Sequence, residues 1–126
     1  MIRIIPPIGQ GNFAVERFAG SERNINIVFD CGTRSKIKLE ERIGNVLPSC
    51  AIIDKVFISH LDDDHVNGLQ YLLKNYRVNE VYLPYLTEEE RVLTRLFYRL
   101  KTGYDLSEFT VALLDNPRGT IRESVS

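Results

Sequence analysis

The sequence lacks a long apolar run and contains few cysteines. No stretch approaches the roughly 20 consecutive apolar residues of a membrane-spanning helix, so no membrane association is expected. The apolar start of the chain is too short, and too soon broken by Pro6-Pro7, to be a secretory signal peptide. The two cysteines, Cys31 and Cys50, do not make a disulfide framework, and this favours a reducing cytoplasm as the location.

The charges are nearly balanced, with 16 Lys and Arg against 17 Asp and Glu and a net charge of −1. Such a chain has no overall field to recruit nucleic acid, so a nucleic-acid site has to be a local patch. Arg91, Arg95 and Arg99 recur at four-residue spacing and form one candidate patch that can contact phosphates. A solvated helix face explains the same spacing and is the favoured interpretation.

The hydrophobic pattern predicts a run of strands followed by alternating helices and strands. Thr87 and Glu90 form a capping box before the last helix, and Gly103 is expected to end it. The apolar face of this helix comprises Val92, Leu93, Leu96, Phe97 and Leu100. Strands are expected at 2–8, 13–18, 25–29, 52–59, 81–83 and 109–114, and helices at 38–47, 66–76 and 87–101. This order predicts an α/β (α+β) fold in which helices cover one face of a mixed sheet.

Two histidines and three aspartates crowd the loop after the apolar run at 52–59. His60, Asp62 and Asp64 alternate along the chain and point the same way if it is extended, and His65 can turn toward the same point. Imidazoles and carboxylates at a strand end suit a hydrolytic metal site, where the metal lowers the pKa of bound water. Helix capping is the alternative for the aspartates, but it does not account for both histidines.

Residues 59–68, Ser-His-Leu-Asp-Asp-Asp-His-Val-Asn-Gly, resemble the His-x-His-x-Asp-His signature of the metallo-β-lactamase superfamily, with Asp62 in place of the second histidine. The His-x-Asp-x-Asp-His version is similar to that of ComEC-type hydrolase domains. Gly9-Gln10-Gly11-Asn12 resembles their Gly-Gln-Gly-Asp turn, and Phe29-Asp30-Cys31-Gly32 resembles their Asp-x-Gly strand end. The resemblance spans residues 1–115.

The resemblance implies two divalent metal ions in this loop. His60 and Asp62 would bind the first ion, and Asp64 and His65 the second. Asp64 would also be catalytic, by orienting the attacking water, whereas Asp63 would point away. The carboxylate of Asp62 hardens the ligand set, so both zinc and manganese stay open.

The implied function is that of a metal-dependent hydrolase, a phosphodiesterase or nuclease acting on nucleic acid or another phosphodiester. Asp30 is expected either to orient a ligand or to serve as a turn residue before Gly32.

Residues 1–115 are expected to form the N-terminal half of a metallo-β-lactamase αβ/βα sandwich. Residues 116–126 are expected to be a polar tail or the start of a missing second half. That half, which carries further ligands in the family, would come from a longer chain, a partner or a homo-oligomer. The chain alone is therefore expected to be inactive and to bind metal poorly. The alternative hypothesis is a non-catalytic interaction module that docks its open sheet face on a partner.

Overall fold

The computed structural model describes residues 1–35 and 38–125, and their strands form a single mixed sheet in the order β1-β2-β3-β4-β5. The first three strands are antiparallel, while β4 and β5 run parallel to β3. The strands are β1 (Ile2–Ile4), β2 (Gly11–Phe18), β3 (Ile25–Thr33), β4 (Ile52–Phe57) and β5 (Arg77–Tyr82). The helices are α1 (Leu39–Val46), α2 (Asp63–Val66), α3 (Leu69–Asn75), α4 (Glu88–Thr102), α5 (Glu108–Asp115) and α6 (Pro117–Ser124). The expected α/β (α+β) class, with a mixed sheet, is confirmed.

The core lies on one face of the sheet. Val15, Val28 and Val56 stand side by side across β2, β3 and β4, and each is completely buried. Ile43 of α1 and Leu72 of α3 belong to the same buried cluster. Burying each such side chain stabilises the fold by about 1.5–3 kcal/mol before the entropy cost. This layer fixes the strand ends that carry the loop at 58–68.

The strand expected in the last part of the chain is wrong. Residues 109–114 are not a strand but lie in α5, because Ser107 accepts a hydrogen bond from the Thr110 amide and starts a helix. For residues 116–126, expected to be a polar tail or the start of a missing second half, the described part includes the helix α6. Asn116 accepts a bond from the Gly119 amide, and Pro117 occupies the first turn of α6, where a missing N–H costs nothing.

The earlier elements differ from expectation mainly at their ends. β3 continues past Asp30 to Thr33, and Asp30 itself takes a left-handed φ of 57°. The helix expected at 66–76 is interrupted at Asn67-Gly68 and appears as α2 and α3. The capping box of Thr87 and Glu90 is present, and Gly103 ends α4 with a φ of 80°.

Helix α4 forms as expected, but its apolar face is turned to solvent. Tyr98 is its buried residue, and the residues of partial exposure are Arg91, Thr94 and Thr102, on the same side of the helix as Tyr98. The five apolar residues expected to pack on the core are instead 44–72% exposed: Val92, Leu93, Leu96, Phe97 and Leu100. Helical periodicity identified the stripe correctly, yet it does not specify what covers it.

The second face of the sheet carries a row of aromatic side chains. The register places Phe29, Phe57 and Tyr82 side by side on β3, β4 and β5. The ring centroids are 5.5 Å apart for Phe29–Phe57 and 4.8 Å apart for Phe57–Tyr82, and both pairs are stacked. Tyr82 is 43% exposed.

Among the described residues, no helix is long and apolar enough to cross a membrane.

Candidate functional site

The candidate loop begins where β4 ends, beside the point where Asp30 interrupts the regular conformation of β3. The Asp30 carboxylate accepts two hydrogen bonds from Ser59, one from its amide and one from its hydroxyl, each 2.7 Å long. The Ser59 hydroxyl is thus left to accept from Nδ1 of His60, 2.9 Å away. Asp30 therefore fixes the start of the loop and orients His60 through Ser59, and it also occupies the turn conformation.

Two glycines let the loop approach β3 closely. A Cβ on Gly32 would lie 2.3 Å from the carbonyl oxygen of Asp63, and a Cβ on Gly68 would lie 2.7 Å from the Cys31 sulfur. Asn67 completes this contact, because its side chain accepts a bond from the Thr33 amide and donates one to the Thr33 carbonyl. These close contacts fix the backbone of α2 against the sheet.

His65 and Asp62 form an ion pair within the loop, with 2.6 Å between Nδ1 and the carboxylate. Burial lowers the pKa of His65, but the hydrogen bond and the charge of Asp62 outweigh it and raise the pKa above its ordinary value. Burial also raises the pKa of Asp62, but the hydrogen bond and the charge of His65 outweigh it and lower this pKa below its ordinary value. The His60 ring lies 4.7 Å from the His65 ring, centroid to centroid. Three of the predicted ligands are therefore neighbours.

Asp64 points to a different partner. Its carboxylate lies 2.8 Å from Nε of Arg34, and both side chains are largely buried. The N–H of Arg34 and the carboxylate oxygen are in charge contact but are not aligned as a hydrogen bond. The charge of Asp64 is therefore balanced by a cation from the chain that follows β3.

Asp63 bonds to residues that follow α4 and anchors the next helices. Its carboxylate accepts bonds from the Ser107 hydroxyl at 2.8 Å, the Ser107 amide at 3.1 Å and the Thr110 hydroxyl at 2.5 Å. The Tyr98 hydroxyl lies 3.4 Å away. Burial raises the pKa of Tyr98, and the charges of Asp63 and Asp64 raise it further. Asp63 thus ties the loop to α4 and α5.

The loop also borders a cavity of about 260 Å³. His60 and Asp62 line one side, and Phe97, Tyr98 and Lys101 of α4 line the other. The cavity combines a cation, an imidazole and an aromatic ring, so it offers both polar and apolar contacts.

The implied metal ions do not suit the side-chain arrangement seen in the described residues. No group of three or more His, Cys, Asp or Glu side chains is placed there to hold a metal ion. The Asp62–His65 pair and the Asp64–Arg34 pair would both have to open before four ligands could converge. The ligand assignment of His60, Asp62, Asp64 and His65 stays a prediction.

A comparison with family models gives one match, described as "Anti-Pycsar protein Apyc1", over residues 11–117. The match covers most of the chain, and the chain belongs to this family. No curated protein matches the chain.

The family match and the arrangement of the side chains correct three expectations. The family that it assigns is a different one from the ComEC-like metallo-β-lactamase hydrolases that the resemblance named. The assignment as a metal-dependent hydrolase, phosphodiesterase or nuclease is corrected with it, since the match names an anti-Pycsar protein. The description as a metal-binding, zinc or manganese protein is corrected by the absence of a converging ligand group in residues 1–35 and 38–125. The catalytic role of Asp64 depended on the hydrolase assignment and is not carried further.

The sequence reasoning missed the residues that hold the loop in place. Arg34, Ser107 and Thr110 are far from the motif in sequence and carry no local pattern that marks them as partners of its aspartates. The Ser107-x-x-Thr110 spacing is typical of a helix start, and that signal could have identified Ser107 as a capping residue.

Proposed function

We propose that this chain is a non-catalytic interaction module that acts against Pycsar by docking its open sheet face on a partner. The family description supports an anti-Pycsar role, and the proposal is that the chain carries out this role by binding a partner. The observation that carries the docking site is the stacked row of Phe29, Phe57 and Tyr82 on the sheet face opposite the core.

The open face is suited to recognition because its aromatic row is framed by charged pairs. Arg3 and Glu16 pair at 2.7 Å on one side, and Lys55 and Glu80 pair at 3.1 Å on the other. Arg3 also lies 5.6 Å from the centre of the Phe29 ring. An apolar centre with a polar rim is the usual anatomy of a protein–protein interface.

The charged rim also limits non-specific association of the free chain. Lys55 lies 5.2 Å from the centre of the Tyr82 ring, so its ammonium covers part of that ring. Exposed pairs of this kind contribute little to folding stability, about 0–1 kcal/mol. Breaking these ion pairs to form new ones with a partner therefore costs little free energy. The charged side chains then add specificity to the contact area of the surface.

The test is a binding assay between the purified chain and immobilised Pycsar components, with Pycsar activity measured in parallel. Tyr82→Asp places a charge in the aromatic row and is expected to weaken binding at least about tenfold, because it buries an unpaired carboxylate. Tyr85→Asp is the matched control, since Tyr85 is 91% exposed and lies outside the strands. The control is expected to bind as the unchanged chain does.

Equal binding by Tyr82→Asp, Tyr85→Asp and the unchanged chain would exclude the sheet face as the docking site. Loss of Pycsar inhibition without loss of binding would separate the anti-Pycsar role from docking. Both variants are checked by circular dichroism, so that a folding defect is not taken for a binding defect.

The prediction that His60, Asp62, Asp64 and His65 bind two divalent ions has an independent test. Calorimetric titration with Zn²⁺ and with Mn²⁺ measures binding without reference to any reaction. If metal binds at this site, Asp62→Asn is expected to weaken binding strongly, because it removes a charged carboxylate ligand and the charged partner of His65. Unchanged heats in the Asp62→Asn variant would end the ligand assignment.

A further inference from the structure

The two edges of the sheet are protected to different degrees. Strands β1 and β5 lie at the edges, and each pairs with one neighbouring strand in the described part of the chain. Strand β1 has three residues and leads into Ile5-Pro6-Pro7, where the prolines have no N–H for an incoming strand. Strand β5 has six residues, Arg77–Tyr82, and none of them is proline. An open edge of this length can pair with another chain.

The backbone of β5 has unused hydrogen-bonding groups on its outer side. The Tyr82 carbonyl accepts a bond from the Ile58 amide, 2.9 Å away, so Tyr82 directs its backbone groups toward β4. Successive residues of a strand direct these groups to alternate sides, and Asn79 and Val81 therefore direct theirs outward. Within residues 1–35 and 38–125, no turn, loop or cap hydrogen bond uses the backbone of Asn79 or Val81. The edge thus offers amides and carbonyls at a two-residue spacing.

A groove of about 480 Å³ lies between β5 and α6. We call its apolar lining the β5 groove: Leu73, Val78, Val81, Leu83, Ile121 and Val125. Val78 and Val81 are half-buried, and Val125 is 57% exposed. A strand added beside β5 would point every second side chain to this side of the sheet. Pairing of the backbone then supplies affinity, and a groove for alternate side chains supplies selectivity.

The rim of the β5 groove is basic. Arg77 begins β5, Arg118 lines the groove from the first turn of α6, and both are exposed. Neither arginine forms an ion pair with another residue that the structure describes. Glu80 also lines the groove, but Lys55 lies 3.1 Å from its carboxylate and balances its charge. The positive charge of the rim is therefore complementary to an acidic partner.

We propose that β5 binds an extended, acidic segment of a partner protein, which adds a further strand to the sheet. Its backbone pairs with Asn79 and Val81, its alternate apolar side chains enter the β5 groove, and its acidic side chains face Arg77 and Arg118. A second copy of this chain lacks the opposite charge, because its β5 carries the same arginine and an already paired Glu80. The site uses the edge of β5 and its helix-covered side, so it does not depend on the aromatic row of the open face.

The first test uses the unchanged full chain and a labelled peptide, Asp-Asp-Val-Thr-Val-Thr-Val-Asp-Asp, in a fluorescence anisotropy titration. One version of the peptide is N-methylated at both threonines, and another at two of the valines. Only one edge of an added strand faces β5, so one version is expected to bind at least about tenfold more weakly and the other nearly as well as the parent. Equal binding by the two versions would overturn the strand pairing.

A backbone variant tests the same edge from the side of the protein. Asn79→Pro removes an outward-directed N–H, which an edge strand tolerates, and is expected to weaken peptide binding at least about tenfold. Asn79→Ala keeps the amide and is the matched control, expected to bind as the unchanged chain does. Circular dichroism and urea unfolding check the fold of both. Unchanged binding by folded Asn79→Pro would overturn the proposal, and the N-methylated peptides decide the matter if this variant does not fold.

The charge of the partner is tested with a matched pair of variants on α6. Arg118→Glu is expected to weaken binding of the acidic peptide by about fivefold, and a carboxylate in the first turn suits the helix dipole. Arg122→Glu makes the same change of net charge outside the groove lining and is expected to have a much smaller effect. The peptide with lysines in place of its aspartates is expected to bind more weakly than the acidic one. Equal losses in the two variants, or equal binding of the two peptides, would overturn the acidic assignment.

Two other occupants of the edge would be recognised in the same experiments. Sedimentation of the chain that shows association, abolished by Asn79→Pro, would assign the edge to a second copy. A single-stranded DNA oligonucleotide that displaces the peptide in the unchanged chain and in Asn79→Pro alike would assign the basic rim to nucleic acid. Either result would overturn the proposal, whereas a monomeric chain and an oligonucleotide that does not compete would support it.

Discussion

Helices α3 and α4 carry the same kind of apolar repeat but place it in opposite environments. Leu69 and Leu72 of α3 are completely buried, whereas Leu96 and Leu100 of α4 are 45% and 72% exposed. Helix α3 starts at Gly68, whose amide bonds the Cys31 carbonyl and draws the helix onto β3. Among the backbone hydrogen bonds of the described residues, none joins α4 to the sheet in this way, and α4 contacts the loop through Tyr98 instead. The sequence repeat shows which face of a helix is apolar. Whether that face is buried in the core depends on how closely the helix backbone packs against the sheet.

The largest loss of stability is expected from truncating a side chain on the buried apolar face of α3. Leu72→Ala removes a fully buried side chain and is expected to lower the free energy of unfolding by about 2–5 kcal/mol. Leu96→Ala, the matched change in α4, is expected to lower it by less than about 0.5 kcal/mol, because Leu96 is 45% exposed. Urea unfolding of both variants gives the comparison. Similar losses in the two variants would mean that the apolar face of α4 packs against the rest of the chain.

The next effect concerns the polar anchor that holds α4 and α5 to the loop. Thr110→Val keeps the side-chain volume of a fully buried residue but removes a hydroxyl that donates to Asp63. The carboxylate then loses its shortest bond, and the expected cost is about 1–3 kcal/mol. Thermal or urea unfolding measures it.

Tyr98→Phe is the control for that anchor. It removes only the 3.4 Å contact with Asp63 and is expected to cost less than Thr110→Val. A larger loss of stability in Tyr98→Phe than in Thr110→Val would show that Asp63 is held mainly by α4. In that case α3 would be attached to the sheet by apolar contacts and α4 by a polar one.

A smaller effect is expected at the start of α4. Thr87→Ala removes the capping box and is expected to cost about 0.5–2 kcal/mol of helix stability. Because α4 contributes little to the core, the loss is expected as local opening of its first turn rather than as global unfolding. Amide hydrogen exchange at residues 88–91 measures it. Thr102→Ala, which removes a hydroxyl at the opposite end of α4, serves as the control, and equal exchange in both variants would count against a capping role.

The predictable part of the fold is the part with strong local signals. Alternation predicted the strand that forms as β2, and the capping box with Gly103 placed α4 within a residue at each end. The segment after it was misread because its apolar and β-branched residues suit a strand as well as a helix. The Ser107 cap resolves this ambiguity, and its contact with Asp63 is distant in sequence.

The candidate site was predictable in its members but not in its pairings. The sequence places His60, Asp62 and His65 within one loop, and the structure brings them together. The sequence cannot reveal that Arg34 neutralises Asp64, because that pair depends on how β3 and α2 pack. The function inferred from the motif was corrected by the family match rather than by the geometry of the loop.

The smallest effect on stability concerns Arg95 and Arg99 of α4, which form ion pairs within the chain. Arg95 and Arg99 both donate to Asp105, and their hydrogen bonds lower the pKa of this carboxyl from 3.8 to about 2. A carboxyl with a lowered folded pKa stabilises the fold above its unfolded pKa and loses that contribution as the pH falls through the folded pKa. Because these groups are exposed, the contribution is small.

Asp105→Asn measures this contribution directly. The variant keeps an oxygen for the Leu106 amide but loses the charge that faces the two arginines. Its melting temperature is expected to lie slightly below that of the unchanged chain near neutral pH. The gap should close between about pH 4 and pH 2 as Asp105 becomes protonated. A gap that persists at the acid end would assign the effect to packing of the turn at Asp105 rather than to its charge.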